Sequence, residues 1–159
     1  MLGLLVALAM SAQARPAPAC PAALPAELAG WSLSRSVAAA ADAKGAPVLA
    51  LGRGVRAALR PTADVAPPVK PAKPGPGAHA GLFAFDAARP GRYRVALGSA
   101  GWIEVVRDGR AVPSATHAHG PACSGVRKMV DFDLAPGRHL LQIAGAPDAS
   151  VGLLVTRLP

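Results

Sequence analysis

The chain has 159 residues and a formal charge of +8, with two Trp, one Tyr and three Phe as its aromatics. That length suits one ordinary domain and is short for two. The basic residues are scattered and the aromatics few, which argues against nucleic-acid binding and leaves solubility and anionic partners, such as a component of the cell envelope, as the meaning of the charge.

The first element is MLGLLVALAMSAQA, residues 1–14. It is apolar from Leu2 to Met10 and closes on Ala12-Gln13-Ala14, an A-x-A cleavage pattern. This layout predicts a secretory signal peptide cut near Ala14, with a periplasmic or secreted mature chain starting near Arg15. No Lys or Arg precedes the apolar run, and a buried N-terminal helix is the competing reading. The run is too short to cross a bilayer, which takes about 20 apolar residues. No later segment is long and apolar enough to do so.

Residues 15–46 read as an Ala/Pro-rich lead-in, with a helical turn around Ala26–Leu28 and a loop or short helix over 36–46. The folded domain is expected over 47–159. Val48–Leu51 and Val55–Leu59 are strand candidates joined by Gly52-Arg53-Gly54, and Pro61 stops the second. Residues 66–81, APPVKPAKPGPGAHAG, are too rich in proline to be a central strand, because proline lacks the ladder donor. They predict an extended surface loop of polyproline character, with a docking peptide as the alternative.

Beyond Gly81 the pattern turns to period two. Leu82–Asp86 places Phe83 and Phe85 on one face. Arg92–Leu97 sets Tyr93, Val95 and Leu97 against Arg92, Arg94 and Ala96. Trp102–Val106 is followed, after Arg107, by Asp108-Gly109, a pair favoured in tight hairpins. Lys128–Leu134, His139–Ala144 and Val151–Arg157 follow. The eight segments predict an all-β fold, a β-sandwich or jelly roll of about eight short antiparallel strands; a double-stranded β-helix satisfies the same pattern.

The chain also echoes itself. FDAARPGRYRVALG at 85–98 and FDLAPGRHLLQIAG at 132–145 share a strand end, a Pro-Gly turn, a basic residue and a second strand. The repeat predicts two similar hairpins, one on each sheet. With the closing pair PGRHLLQIAG and VGLLVTRL, the half from about Gly81 resembles the bacterial pre-peptidase C-terminal domain. That resemblance implies an exported, non-catalytic β-sandwich with a binding or accessory role.

Two cysteines, Cys20 and Cys123, make a disulfide the simplest expectation for an exported chain. Two unpaired thiols are the alternative. The segment THAHGPACSGVRKMVDF, 116–132, is where chemistry is expected to concentrate. On an extended segment His117 and His119 point to one side and can share a metal, with Cys123 as a soft ligand unless it is disulfide-bonded. His139 begins a later strand and is a further candidate; His79, in the Pro-rich loop, is a weaker one. A surface loop with unliganded histidines is the plain alternative.

His117-Ala118-His119 with Cys123, followed by Pro136-Gly137-Arg138-His139, faintly resembles the two cupin metal motifs, with Cys123 where cupins carry Glu. The resemblance implies one transition metal (Fe, Cu or Zn) held by His117, His119 and His139, with Glu104 as a weaker carboxylate ligand. It further implies dioxygenase chemistry of the homogentisate-dioxygenase kind. The non-metal reading makes Trp102, Arg127 and Lys128 the ligand-binding residues, with Trp102 either stacking on a ligand or packed beneath a loop. Asp131 and Asp133 share the outward face of their strand and read as solvated. Ser99, Ser114 and Ser124 lack the context of an activated nucleophile.

Overall fold

A computed structural model describes residues 15–16, 19–20 and 23–159. The expected signal peptide at 1–14 lies outside the described residues. In chain order the strands are β1 (Ser36–Ala38), β2 (Val48–Leu49), β3 (Val55–Ala58), β4 (Arg60–Pro61), β5 (His79–Ala87) and β6 (Gly91–Leu97). They continue with β7 (Trp102–Arg107), β8 (Arg110–Ala111), β9 (Ser114–Ala118), β10 (Lys128–Leu134), β11 (Gly137–Ala146) and β12 (Ser150–Arg157). One sheet has the order β1-β3-β12-β6-β10-β9; the other runs β2-β5-β11-β7-β8, with β4 also paired to β5.

The protein is therefore an all-β sandwich. Period-two alternation is the cause: one face of each central strand is apolar and needs a partner sheet. Tyr93, Val95, Leu97, Val130, Phe132 and Val155 from the first sheet meet Phe83, Phe85, Val105, Leu141 and Ile143 from the second. All eight expected strands form. Four more, β1, β4, β8 and β9, are short or wholly exposed and have no alternation to betray them. Two pairings, β1 with β3 and β2 with β5, are parallel, where an antiparallel set was expected. Asp108 and Gly109 take φ of 50° and 73° and turn β7 into β8, as tight hairpins require.

The two echo units are not hairpins. β5 and β6 lie in opposite sheets, and so do β10 and β11, so each Pro-Gly turn carries the chain across the sandwich as an arch. The arches stand side by side, because β10 pairs with β6 and β11 with β5. Their charges are exchanged: Asp86 of the first unit pairs with Arg138 of the second at 2.8 Å, and Asp133 of the second with Arg92 of the first at 2.9 Å. Both pairs are exposed, so solvent screening leaves each of them little weight in stability. Their reciprocity does fix which arch neighbours which. Each arginine holds its partner's carboxyl below the usual carboxylate range.

Irregular segments cover both outer faces. Leu28, in a 3-10 turn at Ala26–Leu28, packs with Ala96, Met129 and Leu154 on the back of the first sheet, with Leu24 and Trp31 beside them. Asp131 is buried there. Burial alone pushes its carboxyl up, but hydrogen bonds from Arg94 and Thr116 outweigh that and hold it down. The Pro-rich segment lies against the back of the second sheet, over Leu82, Gln142 and Ala144, around an apolar cavity of about 140 Å³.

Candidate functional site

The Pro-rich segment is anchored, and its anchor is Glu104. That carboxylate, buried on β7, accepts the Ala72 N–H at 3.0 Å and a Gln142 side-chain N–H at 2.7 Å. Gln142 Nε2 also donates to the Val69 carbonyl at 2.7 Å. Further along, the backbone of Pro74–Gly77 comes so close to β11 that a side chain on Gly145 would strike the Pro74 carbonyl. A Cβ on Gly77 would likewise strike the Ala146 backbone. Two glycines thus allow the close approach.

The docked segment forms one wall of a cavity of about 440 Å³. Lys73, Gly75 and Pro76 come from this wall, Ala100, Gly101 and Trp102 from the turn into β7. His117 and His119 reach it from β9 and its end, and Arg127 and Lys128 from the start of β10. Trp102, Arg127 and Lys128, singled out in the sequence, line one cavity. Lys73 was not singled out; only the folding of the Pro-rich segment over β7 brings it there.

Charge in the cavity is one-sided. Lys128 Nζ lies 5.0 Å from the Trp102 ring centroid and Lys73 Nζ 5.7 Å from it. Lys128 also donates to the Gly101 carbonyl at 2.9 Å. Among the described residues no Asp or Glu lines the cavity, and Lys73, Arg127 and Lys128 form no ion pair. Burial pushes the Lys128 ammonium pKa down, and the neighbouring Lys73 charge pushes it the same way. The indole N–H of Trp102 is buried without a hydrogen-bond partner. Trp102 is thus packed beneath the Pro-rich segment with cations over its ring, an arrangement that stabilises ammonium groups.

The histidines do not converge. His117 sits on edge strand β9, and His119 Nδ1 is 3.2 Å from the Arg127 carbonyl. His139 is 1% exposed, on the core face of β11, stacked on Phe85 with centroids 5.6 Å apart. Its Nδ1 lies 3.0 Å from the Gly137 carbonyl. In the echo it stands where the first unit has Tyr93, which is also buried against Phe85 and donates its hydroxyl to the Arg89 carbonyl. Cys123 is bonded to Cys20, which removes it as a ligand. Glu104 is committed to Ala72 and Gln142. Among the described residues no group of three His, Cys, Asp or Glu is placed to hold a metal ion. The set His117, His119, His139 and Glu104 does not fit a mononuclear metal, because His139 is buried in the core and Glu104 is engaged by Ala72 and Gln142.

His139 has a measurable consequence. Burial, helped by Arg107, lowers its pKa. The unfolded chain then takes up the proton first. The stability gained from neutral His139 is complete above about pH 6.5 and is lost as pH falls through the lower folded value. The melting temperature of the wild type should drop more steeply between pH 7 and 5 than that of His139→Phe. Equal slopes would remove His139 as the cause.

The chain matches no protein-family model and no curated protein. Among the described residues no helix is long and apolar enough to cross a membrane.

Proposed function

We propose that this protein is an exported, non-catalytic module with a binding or accessory role in the cell envelope, and that its ligand is an anion held in the cleft beside Trp102. One observation carries the reading: two ammonium groups lie over a single indole, in a cavity whose described lining holds no carboxylate. The Lys73 charge acts unfavourably on Lys128, and an anion near both offsets that repulsion. Export is supported by the 1–14 pattern and by the Cys20–Cys123 disulfide, a bond that persists in oxidising compartments. A non-catalytic role, as the pre-peptidase C-terminal resemblance implies, agrees with a sandwich whose buried carboxylates Glu104 and Asp131 are both engaged in structural hydrogen bonds.

The test is thermal unfolding in acetate, phosphate, octanoate and octyl phosphate against chloride at equal ionic strength. At least one anion should raise the melting temperature, and the rise should vanish in Lys73→Ala/Lys128→Ala. Identical melting temperatures in every salt would overturn the reading.

A further inference from the structure

The walls of the cleft narrow the class of anion. Its cationic groups, Lys73, Lys128 and Arg127, meet a surface made of Pro76, Ala100 and Ala118, the Trp102 ring and glycine backbone. Apart from the two histidines and the buried indole N–H of Trp102, the lining offers no neutral polar side-chain group: among the described residues it has no hydroxyl and no amide, and it has no carboxylate either. A sugar or polyol phosphate needs such groups, because each hydroxyl it buries must find a partner or lose its bond to water. A bare inorganic ion uses the cations and leaves the apolar walls unfilled. The cavity, at about 440 Å³, lies within the usual range for small organic ligands, roughly 300–1,000 Å³.

We infer that the cleft binds a small amphipathic acid, with its anionic head between Lys73 and Lys128 and its hydrocarbon or aromatic body against Trp102 and the Pro76–Ala118 walls. This inference rests on the anion-binding reading above and adds the ligand's apolar half. It also gives the Pro-rich segment a role. Lys73 is carried by that segment, while Lys128 is carried by β10. A head group bridging them ties the segment to the sandwich across the cleft. The lowered proton affinity of Lys128 agrees with a partly desolvated cation next to another cation, the state that gains most from an incoming anion.

Isothermal titration of the intact, oxidised protein with octanoate, octyl phosphate, acetate, inorganic phosphate and octanol decides the matter. Octanoate or octyl phosphate should bind measurably, and acetate, inorganic phosphate and octanol at least tenfold more weakly. Lys73→Ala and Lys128→Ala should each weaken the amphipathic acid by roughly ten- to a hundredfold, the usual value of a charge-assisted contact. Lys70→Ala, on the same segment but outside the cavity lining, should leave the affinity unchanged. Saturating octanoate or octyl phosphate should also slow exchange of backbone amides in 70–77, a readout that lost charge alone would not move.

The outcomes separate the two claims. If acetate or inorganic phosphate binds as tightly as octanoate, and through the same lysines, the amphipathic inference fails and anion binding stands. If octanol matches octanoate, or if none of the acids binds, both fail.

Discussion

Glu104→Ala is expected to lose about 1–3 kcal/mol of unfolding free energy, because it strands the buried Gln142 N–H and takes the acceptor from the part-buried Ala72 N–H. Chemical denaturation reads the loss. Hydrogen exchange reads its place: the Ala72 amide should lose its protection, while amides in the central strands β6 and β12 should fall only in step with global stability. Glu104→Gln should cost less. It keeps one acceptor, and rotation of the Gln142 amide can supply the other bond at the expense of the one to Val69. An alanine variant as stable as the wild type would mean that the Pro-rich segment is held by its backbone approach to Gly145 alone. The variant should also weaken any ligand of the cleft, since Lys73 is placed by the segment that Glu104 anchors.

Reducing the Cys20–Cys123 bond is the second large perturbation. The cysteines are 103 residues apart, so the crosslink closes most of the chain. In the chain-entropy model a loop of about 100 residues corresponds to about 4.7 kcal/mol, an upper figure because compact denatured states discount it. A loss of about 3–5 kcal/mol is expected in denaturant titrations with and without reductant, and Cys20→Ser/Cys123→Ser should reproduce it. An unchanged midpoint would show that the bond holds only the ends of its two segments. The bond also acts at the cleft. Cys123, at φ of 61°, lies in the turn that Ser124 closes by donating to the Pro121 carbonyl and accepting from the Val126 N–H. Arg127 and Lys128 follow directly, so release of that turn should loosen the cationic side of the site.

The histidine motif misleads for a reason that the sequence itself contains. The echo aligns His139 with Tyr93, and Tyr93 belongs to a clean core-facing alternation. Reading the two units against each other, rather than searching for imidazole pairs, would have placed His139 in the core. The arches show the opposite case. FD…PGR has the local form of a hairpin, and nothing in either unit says that its two strands join different sheets. That is decided by long-range pairing, β10 on β6 and β11 on β5, and by the exchange of Asp86 and Asp133 between the two arginines.

By itself, the sequence determined the β class, the eight principal strands and the core faces of Leu82–Asp86 and Arg92–Leu97, because side-chain alternation is local and these strands carry it clearly. It also kept Arg127 and Lys128 together, since they are neighbours in the chain. Tertiary structure alone decided the rest: which sheet each strand joins, that the Pro-rich segment packs on β7 and β11, and that Lys73 meets Lys128 over Trp102. Those outcomes depend on a buried carboxylate finding a backbone amide 32 residues away and on glycines that allow backbones to touch. Contacts of that kind have no period in the sequence, and only the assembled sandwich selects them.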